Sequence, residues 1–258
     1  MRQRIAARVL VYGALLGLWA AVARSGPGFL PDPLVVLDML AACVRDGLLV
    51  EGAMATLWRL GLGFGISVTV GVTLGLLLGR ARLLDETLQP IALGMAAIPG
   101  PCWLPVAFLW LGPVERAVVL VVVMSTVFPI ALGVRAGVRD SPPEFLRAAR
   151  NLGASGVSLY TQVILPAAEP AVVAALKRGW WLAWWSLIAA ELFQRSPGIG
   201  GLLQAGSDRS DVAQILAVMI LVLALGLVVD LVVFGLAERR QRTQWGAQTP
   251  GRQTSGLA

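Results

Sequence analysis

The sequence has no histidine, one lysine, two tyrosines and two cysteines among its 258 residues. Without histidine, Ser-His catalysis is excluded, and the commonest metal-binding side chain is missing. The lysine, Lys177, follows "AVVAAL" rather than a glycine-rich loop, so no phosphate-binding loop for ATP is predicted. Cys43 and Cys102 fall in segments predicted at different membrane depths, so no disulfide is expected. The sequence therefore predicts no catalytic residues, metal site or cofactor, and a chain that is not itself an enzyme.

Charged residues are also scarce, at 14% of the chain, whereas 57% of the residues are hydrophobic and the mean hydropathy is +0.76. Apolar runs of about 18 residues or more are typical of helices that span a bilayer. We therefore predict an all-α polytopic membrane protein with six transmembrane helices. The predicted spans are Ile5–Ala23, Leu60–Gly79, Thr87–Val114, Ala117–Val134, Pro170–Leu192 and Val212–Val229. The first could instead be a signal peptide, an alternative weakened by the poor cleavage site in "AVARSGPGF".

The arginines predict an orientation. If the N-terminus is cytoplasmic, the short cytoplasmic loops hold most of the arginines, and most arginines on the other side have acidic neighbours. Both termini are then cytoplasmic, with a membrane domain over residues 1–240 and a polar, disordered tail over residues 241–258. This asymmetry accounts for the net charge of +6, so a nucleic-acid partner is not predicted.

Glycines in the second span predict close helix packing. They have small-xxx-small spacing, which lets helix backbones approach each other in lipid. These glycines are Gly61, Gly65, Gly71, Gly75 and Gly79. Before this span, apolar residues at helical spacing predict either an amphipathic helix at the outer interface or a packed external helix. Those residues are Leu34, Leu37, Leu40, Ala41, Val44 and Leu48.

The third predicted span has a broken centre, "IPGPCWLP". Pro99, Pro101 and Pro105 remove backbone donors, which is tolerated at membrane depth where protein or a cavity satisfies the freed carbonyls. The three prolines therefore indicate either a translocation pathway or a packing kink.

Three cations fall within or next to apolar spans: Arg59, Lys177 and Arg178. A cation buried in lipid usually faces a cavity, an acidic partner or the headgroups. We therefore include all three as pathway candidates. The alternative for Lys177 and Arg178 is that their side chains extend to the cytoplasmic interface.

A polar stretch, Glu144–Pro170, separates two apolar spans on the predicted cytoplasmic side. Pro142 and Pro143 predict a helix start, after which Ala148, Ala149 and Leu152 share one side of the helix, and Gly153 ends it. A second helical piece should end at Leu165, because Pro166 lacks an N–H and disfavours helical backbone before it. The small residues would let a cleft of another protein close around this surface helix.

"RAARNLG", followed by nine residues and "VILP", resembles the "EAA---G---------I-LP" loop of binding-protein-dependent ABC importer permeases. The sequence departs from that pattern at Arg147, which replaces the first Glu of the loop. The resemblance implies that Ala148–Ser155 form a coupling helix that docks in an ATPase, within a loop of about residues 139–168. The residues assigned to coupling are Glu144, Arg147, Ala148, Ala149, Leu152, Gly153, Ala154, Ser155, Leu165 and Pro166.

The resemblance extends through "FLPDP", "IPGPCWLPVAFLWLG", "AAELF" and "GIGGLL", which are similar to permeases of nitrate, sulfonate and taurine importers. It implies a type I importer permease fold in the bacterial cytoplasmic membrane and a small anionic substrate. It also implies a second permease subunit in a homodimer, two ATP-binding cassette subunits, and a periplasmic or lipid-anchored substrate-binding protein.

Two other functions compete with this interpretation. An ion-coupled secondary transporter would use intramembrane carboxylates such as Glu191 or Asp230 as relays, but it should show inverted repeats, and six unequal spans show none. A non-transporting scaffold would have no need of the broken third span.

Overall fold

The computed structural model describes residues 2–25, 30–112, 114–141 and 143–236. Within these ranges the chain is helical and contains no strand, so the predicted all-α class is confirmed. The helices are α1 (Arg2–Ser25), α2 (Pro33–Arg45), α3 (Leu48–Arg80), α4 (Arg82–Ala97), α5 (Leu104–Leu111), α6 (Val114–Arg139), α7 (Pro143–Asn151), α8 (Gly156–Leu159), α9 (Leu165–Gln194), α10 (Ile199–Asp208) and α11 (Val212–Val229). A 3-10 turn (Gly100–Trp103) precedes α5, and π-helical segments precede α9 (Tyr160–Ile164) and follow α11 (Asp230–Phe234).

Three described helices are long and apolar enough to cross a membrane, namely Leu48–Arg80, Glu115–Arg139 and Val212–Val232. The pair α4 and α5, bent by 99°, adds a fourth if it counts as one span. Helix α9 has 30 residues, but Lys177, Arg178 and several tryptophans lower its hydropathy. The described part of the first span holds a shorter apolar helix, Leu10–Ser25. Six spans therefore remain a prediction.

Helix α3 begins at Leu48, well before the predicted start at Leu60. In the structure Arg59 is buried and paired with acidic side chains, so the helix continues past it. With 33 residues, α3 is about 50 Å long, which exceeds the thickness of a bilayer core.

Helix α6 is the centre of the fold and packs against α3 through glycines. A Cβ on Gly75 would lie 2.5 Å from the carbonyl oxygen of Ala131, and Gly71 and Gly79 contact α6 just as closely. Among the described residues, none lies within 4 Å of a Cβ placed on Gly61 or Gly65. The predicted close packing is therefore present at three of the five glycines, and the other two lie on another side of the helix.

An adjacent side of α6 packs against α9 in the same way. A Cβ on Gly133 would lie 2.6 Å from the Cβ of Ala175, and one on Gly137 would lie 2.5 Å from the Cβ of Ala171. Small residues on both helices thus bring three long helices, α3, α6 and α9, into close contact.

Helix α2 packs on α3 and α11 through Val36, and it leaves two of the predicted apolar positions exposed. Asp32 caps its N-terminus, and its Oδ1 accepts from Leu34 N at 3.0 Å. Val36 is fully buried, whereas Leu34 and Leu37 are exposed. Apolar residues lie all around this helix, so spacing alone did not identify the packed face.

The predicted helix end at Leu165 is wrong. Leu165 has helical angles (φ −60°, ψ −49°), and α9 begins there. Pro166 lies in the first turn of α9, where its missing N–H has little consequence. The preceding π-helical segment widens the turn, with Leu165 N donating to Tyr160 O.

Candidate functional site

A buried arginine lies between two carboxylates near the start of α6. Arg59 is 2% exposed and Glu191 is 0% exposed. Arg59 Nη1 donates to Glu191 Oε1 at 2.6 Å and Nε donates to Glu115 Oε2 at 2.7 Å, while Nη2 donates to the other oxygen of Glu115. Thr56 Oγ1 donates to Glu191 Oε2 at 2.8 Å and accepts from Ile199 N at 2.9 Å. We call Thr56, Arg59, Glu115 and Glu191 the Arg59 cluster.

The Arg59 cluster also holds the turn between α9 and α10. Arg59 Nη1 donates to Pro197 O at 2.6 Å, and Gly200 N donates to Glu191 Oε2 at 3.0 Å. A Cβ on Gly198 would lie 2.5 Å from Glu191 Oε1, so this close approach requires glycine. The cluster thus joins α3, α6, the end of α9 and the start of α10.

The three cations singled out from the sequence do not come together. Arg59 faces two carboxylates, Glu115 and Glu191, rather than an open cavity. Lys177 Nζ lies 3.2 Å from Asp230 Oδ1, which ties α9 to the last π-helical segment. Arg178 is exposed, and its Nη2 would lie 3.3 Å from a Cβ placed on Gly133.

The predicted break of the third span is present as the 99° bend between α4 and α5. A Cβ on Gly100 would lie 2.4 Å from Ser125 Oγ and 2.7 Å from the Cβ of Ser186. The 3-10 turn is therefore pressed against both α6 and α9. Pro99 and Pro105 are exposed on the other side of the turn.

A cavity of about 460 Å³ lies between the broken span and the end of α9. It is lined by Pro101, Cys102, Leu104, Pro105, Phe108, Phe193 and Gln194. Two of the three pathway prolines thus share one cavity with residues that follow the Arg59 cluster along α9.

The polar stretch after α6 forms the short helix α7, which the sequence predicted. Glu144, Arg147 and Ala148 are exposed on it, whereas Ala149 is 8% exposed. Leu152 is 88% exposed, so of the three residues that the sequence placed on one side of the helix, Ala149 packs inward while Ala148 and Leu152 stay exposed. An apolar side chain exposed this fully is available for contact with another protein.

Gly153 ends α7 with a Schellman turn, as predicted for a glycine at this place. Its φ is +87°, where a side chain would be strained. Gly153 N donates to Arg150 O at 3.0 Å and Ala154 N donates to Ala149 O at 2.9 Å. Ser155 is exposed directly after this turn. The backbone shape of the segment is therefore fixed by its own hydrogen bonds.

Tyr160 connects this segment to α3. Its hydroxyl donates to Leu76 O at 3.0 Å, and the guanidinium of Arg80 lies 5.4 Å from its ring centroid. Burial raises the pKa of Tyr160, so the hydroxyl stays protonated and able to donate.

A second cluster of charged side chains joins α4 to the end of α6 that precedes α7. Arg135 donates to both oxygens of Asp85, at 2.7 Å for Nη2, and Arg139 Nη2 lies 3.0 Å from Asp85 Oδ2. Asp85 is 5% exposed. We call Asp85, Arg135 and Arg139 the Asp85 cluster.

Several of these residues were missed by sequence reasoning, namely Thr56, Asp85, Glu115, Tyr160, Gly198 and Gly200. Arg59 and Glu191 have opposite charges within apolar helices, which was a usable signal, because charges in lipid usually pair. In the described ranges no group of three or more Cys, Asp and Glu side chains is arranged to hold a metal ion.

Comparison with known proteins identifies the class to which this fold and these sites belong. The sequence model for the binding-protein-dependent transport system inner membrane component matches residues 71–242. The chain therefore belongs to this family of transport components.

Three similar proteins indicate which kind of transport component the chain resembles. The chain is 27% identical over 225 residues to a nitrate import permease protein of Synechocystis, covering 84% of this chain and 82% of the relative. It is 29% identical over 239 residues to the taurine transport system permease protein of Escherichia coli, covering 90% and 86%. It is also 29% identical over 244 residues to a bicarbonate transport system permease protein of Synechococcus elongatus, covering 89% and 88%. The predicted resemblance to nitrate-, sulfonate- and taurine-type ABC permeases is confirmed.

A solved structure shares the fold. A crystal structure of an amino acid ABC transporter with histidines contains a chain that superposes with a TM-score of 0.61 at 21% identity. The match covers 80% of this chain and 98% of that one.

Proposed function

We propose that this chain is the permease subunit of an ABC importer, which forms the solute route and couples it to a separate ATPase. One observation carries the proposal, namely that α7 lies exposed between α6 and α9 and ends in a rigid turn. Family membership supports it. ATP-driven movement of the ATPase would reach the membrane helices through this segment.

The proposed topology has six spans with both termini in the cytoplasm. They are α1, α3, the bent pair α4 and α5, α6, α9, and α11 with its π-helical extension. Helix α9 belongs to the set because it packs along α6, although its charged and tryptophan residues lower its hydropathy. The membrane domain then covers residues 1–240, and residues 241–258 form the tail.

The residues of the proposed coupling surface have two roles: some would contact the ATPase, and others would transmit its movement to the membrane helices. Glu144, Arg147, Ala148 and Leu152 are exposed and would meet the ATPase, together with Gly153, Ala154 and Ser155 at the turn. Ala149 packs inward and supports the helix. Leu165 and Pro166 begin α9, so they would carry a movement of the loop into that span.

The proposed substrate is a small anion, and the proposed partners are a second copy of this chain, two ATPase subunits, an external binding protein and membrane lipid. Relatives named for nitrate, taurine and bicarbonate support the substrate class. The charge of Arg59 is already paired with Glu115 and Glu191. We therefore propose that Arg59 has a structural role beside the solute route. Lys177 and Arg178 lie toward the cytoplasmic mouth in the proposed orientation.

Gly153→Asp tests the coupling proposal. A side chain at φ +87° would strain the turn and reshape α7, so we expect binding-protein-stimulated ATPase activity to fall at least tenfold. The chain should still insert and dimerise. Co-purification with the ATPase and stimulated hydrolysis in proteoliposomes are the measurements.

Asn151→Asp is the matched control, since it adds the same charge on ordinary helical backbone. It should reduce stimulation far less than Gly153→Asp. Equal and normal stimulation by both variants would contradict docking through α7. Uptake that continues without ATP but stops when a proton gradient is removed would instead favour the ion-coupled alternative.

A further inference from the structure

The Arg59 cluster and the Asp85 cluster together indicate how deep in the membrane the break between α4 and α5 lies. Glu115 and Arg135 are separated on α6 by about 20 residues, or ~30 Å, which matches the thickness of a bilayer core. Each belongs to a charged cluster at one end of that interval. Ser125, which Gly100 contacts, lies midway between them. The 3-10 turn therefore lies near the middle of the membrane.

Irregular backbone at this depth cannot face lipid. Ile98 and Pro99 are extended, and Pro99 and Pro101 have no N–H to donate. Unsatisfied backbone groups in hydrocarbon cost several kcal/mol each, so such segments occur against protein or water. Ile98, Pro99, Cys102 and Pro105 are exposed in this chain. Something other than lipid must cover them.

The cavity beside these residues has no charged lining. Its polar side chains are the amide of Gln194 and the thiol of Cys102, and its other lining residues are apolar. Arg59 lies outside the lining of this cavity, with its charge held by Glu115 and Glu191. A solute here would meet a hydrogen-bonding amide but no fixed charge to retain it.

We infer that this cavity is an uncharged section of the water-filled solute route, and that Gln194 is its solute-contacting, specificity-determining residue. The inference rests on the proposed importer function and concerns the same route. Small anions accept hydrogen bonds, which an amide donates without the tight binding of an arginine. A weak site of this kind suits passage, because a solute must leave as readily as it enters.

Glu191 positions this site. Gln194 follows it by less than one helical turn, at the C-terminal end of α9. The hydrogen bonds from Arg59, Thr56 and Gly200 to Glu191 therefore fix where the amide stands relative to the broken span. The Arg59 cluster thus acts through Gln194 and does not contact the solute.

Cys102 provides a direct test of water access. In a Cys43→Ser background, the complete complex with ATPase and binding protein is placed in proteoliposomes and treated with two water-soluble methanethiosulfonates, one anionic (sulfonatoethyl) and one cationic (trimethylammonioethyl). We expect both to modify Cys102, at rates within about tenfold of each other. The rates should differ at least threefold between the nucleotide-free and vanadate-trapped states.

Each other outcome overturns the inference. Reaction only with membrane-permeant N-ethylmaleimide would mean a lipid-facing surface, and no reaction with any reagent would mean a surface covered by the second copy. A strong preference for one charge would contradict an uncharged route. ATPase stimulation measured on the same sample separates these outcomes from a failure of the importer function.

Gln194→Leu tests the solute contact. With nitrate, taurine and bicarbonate as probes, we expect at least fivefold lower uptake of whichever solute the wild type carries, with stimulated ATPase activity retained. Gln194→Glu should lower anion uptake further, since it adds a negative charge. Gln204→Leu on α10, outside the cavity, is the matched control and should not change uptake. Uptake by Gln194→Leu within twofold of wild type would overturn the assignment.

Discussion

A carboxylate buried in an apolar chain persists only when its charge is matched and its oxygens accept hydrogen bonds. Glu191 meets both conditions, with Arg59 as the counterion and with Thr56 and Gly200 as further donors. Three donors, two on α3 and one on α10, converge on this fully buried side chain. Its contribution is therefore positional as well as energetic, since it fixes the α9–α10 turn on α3.

Glu191→Gln should destabilise the fold. The new amide N–H₂ would face Arg59 Nη1 or Gly200 N, both of which are donors, and Arg59 would keep Glu115 as its counterion. Breaking a buried pair commonly costs ~3 kcal/mol or more. We expect the Tm of the purified protein to fall by about 5 °C or more, measured by tryptophan fluorescence.

Glu86→Gln is the control for this prediction. Glu86 pairs with Arg82, but the two side chains are 59% and 88% exposed. Exposed pairs contribute ~0–1 kcal/mol, so this variant should melt close to wild type. If the two variants melt alike, the Arg59 cluster does not stabilise the fold in the way described.

At the scale of helices, the structure separates two kinds of glycine in α3. Gly75 lies where α6 leaves no room, and Gly61 lies on an open side. Gly61 is four residues from Gly65, as Gly75 is from Gly71 and Gly79, so the spacing within each set does not show which set meets α6. The partner helix decides which glycines are required.

Gly75→Ala should destabilise the chain, while Gly61→Ala should not. The added Cβ of the first would lie 2.5 Å from Ala131 O and 2.7 Å from the Cβ of Val134, so α3 and α6 must separate. Overpacking of this kind costs ~1–3 kcal/mol. Thermal unfolding of both variants checks this, and equal melting temperatures would show that the α3–α6 contact tolerates separation.

Local features of these elements could be predicted from the sequence, and distant contacts could not. The break at Pro99 and the turn at Gly153 depend on residues within one turn of helix, and both are present. The opposite charges of Arg59 and Glu191 in apolar helices indicated a pair, but nothing local in the sequence places Thr56 and Glu115 beside them. The helix end at Leu165 was mispredicted because a π-helical segment, which the local sequence does not indicate, leads into Pro166 without a break.

At the scale of the whole molecule, α3 and α6 form one stiff unit. The Arg59 cluster joins them near one end, and the glycine contacts and the hydrogen bond from Thr126 Oγ1 to Ser67 Oγ (2.6 Å) join them between. Near the other end, the Asp85 cluster fixes α4 to α6. A movement applied to α3 near Leu76 would therefore be carried along its whole length.

Tyr160 links the loop that contains α7 to this stiff unit, because its hydroxyl donates a hydrogen bond to Leu76 O on α3. The ring also contacts Arg80, and that contact survives loss of the hydroxyl. Removing only the hydroxyl would thus loosen the link without emptying the space that the side chain fills. One hydrogen bond contributes ~1 kcal/mol, so the effect should be moderate.

Tyr160→Phe should lower the number of solute molecules imported per ATP hydrolysed by about fivefold, since ~1 kcal/mol corresponds to a factor of that size. Binding of the ATPase should be unchanged, because α7 itself is not altered. Parallel measurement of uptake and phosphate release in proteoliposomes gives the ratio. Tyr12→Phe, at the other tyrosine and on an exposed face of α1, is the control and should keep the wild-type ratio. A normal ratio for Tyr160→Phe would mean that α7 drives the membrane helices through α9 alone.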